Sequence, residues 1–489
     1  MNNNDTPTTN GASMIRIGTR AFLLAFVIIF TLMIVSGVLT RIVPAGSYDR
    51  VEVDGRVQVV PGSFTYTDSP VYPIWRWATA PVEVLFAPGN VAVIAIILFL
   101  IFVGGSFTVL ERGDVLGAFL RVIAVKMRQR RFLLMALMQL FFMISGAVLG
   151  IFEAMVPLIV FVVPLSHTLG WDSLTGLGMS LLPLAFGFAA AVTNPFTIGV
   201  AQTIAELPMF SGAWLRLPFL VIVYVIVLVF VQRHARRVED DPRRSLVYAA
   251  DRHIHERVAA TGLSGELSAP LRRALVWFGV SMGLAVVYII VTSRIPALSA
   301  YAFPLMAIFF LVGGIGSGRL SGLSWGEIGR AFRGGFMNML PGVILILMSM
   351  SVKHIVQSGG IMDTILHSAA TYISERPPGA AGFLMYLATL VMNFFIGSAS
   401  AKAFLMMPIL TPLADLVGIT RQTAVLAFGF GDGFSNMLFP TNALLIIGLS
   451  FTTVSYPTWI RWTLPLQGIV FALSMVFLRI AISVGYGPF

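Results

Sequence analysis

The stretch that decides the fold begins with Asn393-Phe-Phe-Ile-Gly-Ser-Ala-Ser-Ala-Lys402 and continues through Gly431-Asp-Gly-Phe-Ser-Asn436 to Phe439-Pro-Thr-Asn442. It is apolar enough to lie in a bilayer, yet it places serine, lysine, aspartate and asparagine among glycines and prolines. In lipid, irregular backbone and ionisable groups are tolerated only where they are buried in protein or line a cavity. Such broken polar segments are typical of substrate and ion sites in secondary transporters. We therefore expect half of a transport site here.

The composition indicates an integral membrane protein. Of the 489 residues, 57% are hydrophobic and 11% are charged, whereas soluble domains are about 25% charged. Apolar runs of roughly 20 residues recur along the whole length, which predicts an all-α polytopic bundle rather than a single anchor. The absence of cysteine excludes disulfides, cysteine-type zinc sites and thiol catalysis. Basic cytoplasmic loops explain the net charge of +10 more simply than a nucleic-acid partner does.

The N-terminal part, residues 1–88, is interpreted as a tail, one transmembrane helix and an outer loop. Residues 1–15 are polar and expected to be disordered. The apolar run Ala21 to Val43 lacks a clear cleavage site, so we interpret it as a retained span that starts in the cytoplasm. The mixed polar stretch 44–88 then reads as an outer loop that closes with an interfacial pair, Trp75 and Trp77.

The sequence also repeats itself. Residues near 89–231 match those near 337–482 at an offset of about 247–251, which pairs Ile144-Ser-Gly146 with Phe395-Ile-Gly397 and Thr193-Asn194 with Thr441-Asn442. The loop 111–131 is strongly basic, whereas its counterpart 359–379 carries only Arg376. Equivalent loops with opposite charge character indicate repeats of inverted topology, with the first loop inside the cell.

Four segments follow from this pattern. Residues 1–88 precede the repeats, 89–231 form the first inverted repeat and 337–489 form the second. Residues 232–336 link them: an Arg-rich cytoplasmic linker, two extra transmembrane helices near 274–293 and 300–316, and an interfacial helix at 321–334. We place the last span near 460–482.

A polar break inside an apolar stretch occurs in each repeat. The first runs from Ser145-Gly146 to Gly150 and Glu153, and the second from Gly397 to Lys402. Freed backbone N–H groups at a helix start attract carboxylates, but small residues also let transmembrane helices pack closely. For Gly146 and Gly150 alone packing is favoured, and for Ser398, Ser400 and Lys402 together binding is favoured.

A broken helix is the second feature that recurs, as Val192-Thr-Asn-Pro-Phe-Thr197 and as Phe439-Pro-Thr-Asn442. Proline leaves a backbone carbonyl unpaired, and together with Thr and Asn oxygens such carbonyls suit Na⁺. The alternative is a proline kink whose neighbouring side chains only cap the freed backbone. The recurrence of Thr-Asn in both halves favours a cation site.

Three charged residues lie among these breaks, and each leaves alternatives open. Glu153 and Lys402 either pair with each other or bind the charged ends of an amino-acid-like substrate, and Glu153 could instead carry a proton. Asp432 is either a cation or proton site or an acid satisfied by its neighbours Gly431 and Ser435. The predicted substrate-binding residues are Ser145, Gly146, Glu153, Asn194, Ser398, Ser400, Lys402, Asn436 and Asn442. The predicted cation-binding or proton-carrying residues are Thr193, Asn194, Thr197, Asp432, Ser435, Thr441 and Asn442.

No enzymatic activity is expected from the sequence. It contains no H-E-x-x-H motif and no Gly-rich P-loop, so a zinc hydrolase and an ATP-driven pump are both disfavoured, and no transition-metal site is expected. A passive channel is the alternative to a transporter, although filter carbonyls would not require inverted broken hairpins.

A resemblance adds to these inferences. The stretch from Pro412 through Gly431-Asp-Gly-Phe-Ser435, together with Asn194-Pro-Phe196 and Val200-Ala-Gln202, resembles the YfcC-like branch of the anaerobic C4-dicarboxylate carrier (DcuC-type) family, within the ion transporter superfamily. The similarity runs from about residue 20 to 480. It implies two inverted repeats, each with a re-entrant helical hairpin and a broken helix, in a homodimer that works by an elevator mechanism. It also implies that hairpin tips and broken helices hold the substrate and either Na⁺ or a proton.

This chain departs from the family pattern at the expected site. Many members of the family have Ser-Gly-Ser-Gly where this chain has Ser398-Ala-Ser-Ala401 followed by Lys402. Some members have a smaller polar residue in place of Asn442. The resemblance therefore does not name the substrate. We expect a multi-pass secondary transporter of the bacterial inner membrane for an amino acid or a C4-dicarboxylate. Its only expected cofactor is a coupling ion, Na⁺ or H⁺, unless it works as an exchanger.

Overall fold

The computed structural model describes residues 19–487 with short gaps at 54–55, 69–71, 88–90, 120–121, 123–127, 151, 153–154, 253, 255–266 and 293–301. The predicted disorder of residues 1–15 and the candidate residue Glu153 therefore lie outside the described residues. The basic loop 111–131 is described only in part, because Arg121 and Lys126 fall in the gaps.

The described chain is mostly helical. Its α-helices are α1 Thr19–Ile42, α2 Trp75–Phe86, α3 Val91–Arg112, α4 Arg131–Ile144, α5 Val156–Thr168, α6 Ser173–Ala190, α7 Val200–Ile204, α8 Ala213–Asp240, α9 Ala269–Thr292, α10 Ala302–Leu320, α11 Trp325–Ser358, α12 Met362–Ser374, α13 Pro378–Phe395, α14 Ala399–Val417, α15 Arg421–Phe434, α16 Ala443–Ser450 and α17 Tyr456–Ser483. Short π-helical turns lie at Ser145–Leu149 and Pro195–Gly199, and 3₁₀ turns at Arg128–Arg130, Pro242–Arg244 and Ser435–Met437.

Within the described residues, eight helical segments are long and apolar enough to cross a membrane. They are Phe22–Ile42, Arg131–Leu149, Ser173–Ile204, Ala213–Asp240, Trp325–Ser358, Pro378–Phe395, Ala399–Val417 and Tyr456–Ser483. A hydrocarbon core of about 30 Å needs about 20 helical residues, so the lengths fit. The prediction of a polytopic helical membrane protein is confirmed at this level, while the inverted relation of the repeats stays a prediction.

Two helices, α6 and α15, form the centre of the bundle. Every residue of α6 is buried, and so is every residue of α15 from Gln422 to Phe434. The helix α6 packs against α4, α5 and α8, whereas α15 packs against α13, α14 and α17. The two central helices also contact each other, with the rings of Phe186 and Phe434 5.3 Å apart.

Glycines make these central contacts close. A Cβ added at Gly433 would lie 2.2 Å from Ala189 Cα, so the backbones of α15 and α6 touch directly. Similarly, a Cβ at Gly146 would lie 2.3 Å from the Leu184 carbonyl oxygen of α6. Small residues permit this approach in membranes, where it replaces the missing hydrophobic driving force. The favoured interpretation of Gly146 as a packing residue is what this geometry shows.

The predicted outer loop 44–88 contains four short strands, which the sequence analysis did not predict. Strand β1 (Gly46–Ser47) pairs with β4 (Thr65–Tyr66), and β2 (Arg50–Val53) pairs with β3 (Arg56–Val59), both antiparallel. The sequence carries the signal, because the Asp-Gly dipeptide between β2 and β3 is flanked by alternating polar and apolar residues. The buried Asp363 of α12 holds this segment by accepting hydrogen bonds from Tyr48 N and from Arg50 Nη2.

The helix α2 follows this strand segment and carries the tryptophans Trp75 and Trp77, which lie in different surroundings. Trp75 is 64% exposed, as an interfacial residue would be, but Trp77 is only 6% exposed. Its ring lies against Gly37 of α1, where an added Cβ would be 2.3 Å away. Trp77 therefore packs α2 against the first span and does not face the lipid.

The prediction of a separate interfacial helix at 321–334 is wrong. A capping box at Ser324 and Glu327 starts α11, and the helix then continues without interruption for 34 residues to Ser358. The glycines Gly334 and Gly335 do not end it. At Gly335 the missing side chain allows contact with α3, because an added Cβ would lie 2.3 Å from the Gly104 carbonyl oxygen. The predicted segment boundary between 336 and 337 thus falls inside a continuous helix.

Candidate substrate and ion site at two helix breaks

The central helices end beside each other, and both end in irregular backbone. The helix α6 stops at Ala190, and Ala191 takes a left-handed conformation with φ 43° before the π-helical turn. The helix α15 stops at Phe434, and a 3₁₀ turn and an irregular stretch follow until α16. Since Ala189 and Gly433 touch, the two C-terminal ends lie close together. Helix C-termini carry partial negative charge, so this is a place that favours a cation.

The asparagine of each predicted Thr-Asn pair caps the helix that follows it. Asn194 Oδ1 accepts from Phe196 N at 2.9 Å and from Thr197 N at 3.2 Å. Asn442 Oδ1 accepts from Leu444 N at 3.0 Å and from Leu445 N at 3.3 Å. Both amide oxygens therefore serve as caps, which was the alternative interpretation of these breaks. The two halves use the same residue in the same way at matching positions.

Two threonine hydroxyls at the breaks are left over. Thr197 Oγ1 and Thr441 Oγ1 are buried oxygen atoms that have no hydrogen-bond partner among the described residues. Thr193 differs, because its Oγ1 donates to the Val148 carbonyl at 3.3 Å and its N–H donates to the Ala147 carbonyl. A buried polar atom without a partner costs about 1–3 kcal/mol, so such atoms mark places for a ligand or water.

A buried ion pair lies at the second break. Lys402, in the first turn of α14, and Asp432, in the last turn of α15, are both 0% exposed, and Lys402 Nζ lies 2.5 Å from Asp432 Oδ1. Lys402 Nζ also donates to Asn393 Oδ1. Of the two alternatives for Asp432, a carboxylate satisfied by Ser435 is not what the structure shows, because Ser435 Oγ donates to the Gly431 carbonyl. The pairing of Lys402 with Glu153 stays untested, since Glu153 is outside the described residues.

Amide groups extend this ion pair into a network. Asn393 Nδ2 donates to Ser435 Oγ at 2.7 Å and to Asn436 Oδ1 at 2.9 Å. Asn442 Nδ2 donates to the same Asn436 oxygen at 2.8 Å. The network joins the end of α13, the end of α15 and the start of α16. Sequence reasoning missed Asn393 as a site residue, although an amide near the end of an apolar helix was a usable signal.

A second buried cation, which the sequence analysis also missed, serves the first break. Arg216 of α8 is 1% exposed, and its Nη2 donates to the Val192 carbonyl at 3.1 Å, two residues before Asn194. Its Nη1 donates to Tyr486 Oη at 3.2 Å. Arg216 Nε has no partner among the described residues. Each helix break therefore has a fixed positive charge near it.

The remaining candidates occupy different surroundings. Ser145 Oγ donates to the Phe141 carbonyl of its own helix at 2.8 Å, so this hydroxyl is already engaged. Gly150, with φ 65°, lies against Asn194, whose Oδ1 would be 2.2 Å from an added Cβ. Ser398 caps α14 by accepting from Ala401 N at 3.4 Å and is exposed, and Ser400 in the first turn is partly buried.

A cavity of about 400 Å³ lies beside the start of α14. Ile396 and Ala401 line it on the side of the break, and Arg50, Lys353 and Gln357 line it opposite. Arg50 is paired with Asp363 at 2.8 Å, whereas Lys353 has no carboxylate partner within the described ranges. The cavity wall thus carries an excess of positive charge next to the second break.

Comparisons with known proteins agree on one family. The profile of the family described as C4-dicarboxylate anaerobic carrier matches residues 22–483. A protein of Escherichia coli (strain K12), named "Putative basic amino acid antiporter YfcC", is 30% identical over 488 residues, covering 94% of this chain and 96% of that protein. An uncharacterized protein of Haemophilus influenzae is 24% identical over 503 residues, covering 94% and 96%.

Two solved structures show weaker likeness. MtrF of Neisseria gonorrhoeae, from a class of antimetabolite efflux pumps, is 18% identical with a TM-score of 0.42, covering 95% of each chain. The YdaH transporter of Alcanivorax borkumensis is 17% identical with a TM-score of 0.40, covering 96% of this chain and 100% of that one. Both TM-scores lie below 0.5 and are too low to establish a shared fold.

The ion pair generates a prediction about stability. Lys402→Met leaves the carboxylate of Asp432 buried without its cation, and breaking a buried pair costs about 3–5 kcal/mol. We expect a clear fall in melting temperature in detergent for this variant, and recovery of most of it in the double variant Lys402→Met/Asp432→Asn. The control is Arg244→Met, which removes a single exposed pair with Asp241 and should cost less than about 1 kcal/mol. An unchanged melting temperature for Lys402→Met would contradict the pairing.

Proposed function

The chain belongs to the C4-dicarboxylate anaerobic carrier family, and from this premise we propose that it is a secondary active transporter of a small carboxylate-bearing solute, either an amino acid or a C4-dicarboxylate. The family and its relatives are transporters and not enzymes, and the apolar helices make this a multi-pass membrane protein. The channel alternative has no observation in its favour. We place the protein in the bacterial inner membrane with its N-terminus in the cytoplasm, in keeping with the basic loop 111–131.

The observation that carries the proposal is the set of partnerless buried polar atoms at the two breaks. At the first break, the atoms without partners among the described residues include two N–H donors, Asn194 Nδ2 and Arg216 Nε. The orientation of the Asn194 amide is fixed, because its oxygen must accept the two capping N–H groups. Such N–H donors, one of them part of a guanidinium, are suited to a carboxylate. We therefore assign the solute's carboxylate to the first break.

The second break offers the opposite chemistry. Its partnerless atoms are acceptors, Asp432 Oδ2 and Thr441 Oγ1, which suit a cation. The charge of Lys402 balances one carboxylate, so any bound cation gains chiefly from oxygen ligands and from the negative end of α15. We assign the coupling ion, Na⁺ or H⁺, or the ammonium group of an exchanged amino acid, to this break.

The start of α14 supplies a further set of donors for a carboxylate. Ser398 is exposed there, and the unpaired N–H groups of a helix start attract anions. The adjoining cavity adds the positive charge of Lys353. This arrangement supports an anionic or zwitterionic solute over a purely cationic one.

The transport cycle belongs to the same proposal. We propose that segments 89–231 and 337–489 are inverted repeats, that their hairpins are re-entrant and that a homodimer works by an elevator mechanism. The equivalent caps at Asn194 and Asn442 support the repeat relation. The scarcity of basic residues in 359–379 supports its placement on the opposite face from 111–131.

The first experiment measures the thermal stability of the purified protein with a panel of amino acids and C4-dicarboxylates, each in Na⁺ and in K⁺. A solute that binds only the folded state raises the melting temperature by mass action. We expect a shift with one class of carboxylate, and counterflow of that labelled solute in proteoliposomes, which a channel does not support. Cationic amines without a carboxylate are the control. A shift with the amines alone would sink the proposal.

The threonine at the second break tests the cation assignment. Thr441→Val removes a hydroxyl that makes no hydrogen bond within the described structure, so stability without ligand should not change. If Thr441 Oγ1 binds the coupling ion, the apparent affinity for that ion should fall about tenfold, because the ion loses one of its oxygen ligands. Thr411→Val is the matched control, because Thr411 Oγ1 is equally buried and partnerless but lies more than two turns beyond Lys402 on α14. Equal effects of both variants would refute the assignment.

The serine at the start of α14 tests whether this further set of donors also binds the carboxylate. Ser398→Ala should raise KM for the transported carboxylate about tenfold, since a hydrogen bond to a charged group contributes about 1.5–3 kcal/mol. Ser455→Ala is the control, because Ser455 caps α17 through the same type of bond, accepting from Thr458 N at 3.4 Å. Both variants lose one helix cap, so a rise in KM that occurs only in Ser398→Ala is evidence that Ser398 contacts the carboxylate. Identical kinetics in the two variants would exclude Ser398 from the site.

A further inference from the structure

A groove of about 660 Å³ lies between α8 and α17, on the outside of the bundle and apart from the helix breaks. The two helices run antiparallel: Phe219 meets Phe477 near one end, with ring centroids 4.9 Å apart, and Phe230 meets Trp462 at 5.0 Å further along. The groove is open to the surroundings beside this second contact.

One end of the groove is apolar. Its walls there include Val225 and Val229 of α8 and Ile469 of α17, which are 49%, 38% and 52% exposed. Exposed aliphatic side chains on a membrane-spanning helix face acyl chains. This end of the groove is therefore open to the hydrocarbon of the bilayer.

The other end is strongly basic. Arg233 and Arg237 lie one turn apart on α8, Arg461 faces them from α17, and Arg244 follows from the next segment. Neither Arg233, Arg237 nor Arg461 pairs with a carboxylate among the described residues, and none of the described lining residues is acidic. Arg244 has only an exposed pair with Asp241 at 3.7 Å, which is a weak interaction.

The histidine in the groove does not add to this charge cluster. His234 Nε2 is directed to Asp172 Oδ2 at 2.9 Å, and its Nδ1 accepts from Trp462 Nε1 at 3.1 Å. Both ring nitrogens are therefore engaged with the protein. The arginines alone remain to meet a ligand, and their guanidinium groups match phosphate oxygens bidentately.

We propose that this groove binds an anionic phospholipid, with the phosphate of the headgroup against Arg233, Arg237 and Arg461 and an acyl chain along the apolar walls. Arg233 is eight residues from Val225, so the groove runs about 12 Å along α8 from the basic end into the hydrocarbon. Basic pockets between transmembrane helices are suited to such headgroups. A zwitterionic lipid is disfavoured, because its own ammonium group already balances the phosphate.

The test is native mass spectrometry of the full-length, delipidated protein, titrated with phosphatidylglycerol and with phosphatidylethanolamine of the same acyl chains. We expect the wild type to bind phosphatidylglycerol about tenfold or more tightly than phosphatidylethanolamine, since three basic side chains contribute. The triple variant Arg233→Gln/Arg237→Gln/Arg461→Gln should lose this preference and keep its phosphatidylethanolamine adducts. Its elution profile and melting temperature report whether it is folded.

The matched control is Arg243→Gln/Arg330→Gln/Arg333→Gln, which removes the same charge from exposed positions that do not line the groove. It should keep the preference. An equal loss in both triple variants would show unspecific attraction and overturn the proposal, as would the absence of a preference in the wild type.

A further arm separates a lipid from a free anion. Glycerol 3-phosphate carries the same phosphate chemistry without acyl chains, and it should not compete with phosphatidylglycerol at equal concentration. Effective competition would replace the lipid with a soluble phosphate and overturn the proposal. If the glutamine variant does not fold, Arg233→Lys/Arg237→Lys/Arg461→Lys should weaken the preference without abolishing it, and an unchanged preference there would contradict the role of the guanidinium groups.

Discussion

The ion pair between Lys402 and Asp432 is the constraint on which the second half of the bundle depends. In an apolar interior neither charge is tolerated alone, so the first turn of α14 must stay beside the last turn of α15. Asn393 satisfies the lysine further and passes its own hydrogen bonds to Ser435 and Asn436. The helices α13, α14 and α15 thus begin or end around one cluster of polar groups, which satisfy one another there.

The two breaks share a backbone solution and differ in their free polar atoms. Asn194 and Asn442 cap the following helices in the same manner, so the side-chain oxygens of both asparagines have a structural role. Each break leaves one threonine hydroxyl without a partner among the described residues; beside it, the first half leaves N–H donors of Asn194 and Arg216, and the second leaves a carboxylate oxygen of Asp432. In the proposed function, the carboxylate of the solute and the coupling ion would therefore bind at different breaks, although both breaks are capped in the same way.

Much of the fold could be predicted from the sequence because apolar length and proline punctuation act locally. The helices α1, α9, α10 and α17 fall where the apolar runs indicated them. The partner of Lys402 could not be predicted, since Asp432 is 30 residues away and several acids were available. Arg216 and Lys353 were missed for a related reason: each is a single charge in an apolar helix, and only the tertiary structure shows what it faces. The strands at 46–66 were missed although the Asp-Gly turn signal was present.

The contact between Gly433 and Ala189 has a mechanical consequence. At this contact backbone lies against backbone, and packed interiors resist gradual sliding. In the proposed elevator cycle, the helices α6 and α15 would move together, as one rigid body with residues from both halves of the chain. The moving part in that proposed cycle would therefore include both breaks at once, and the flexibility for such a motion would lie in the connections at the periphery of this pair.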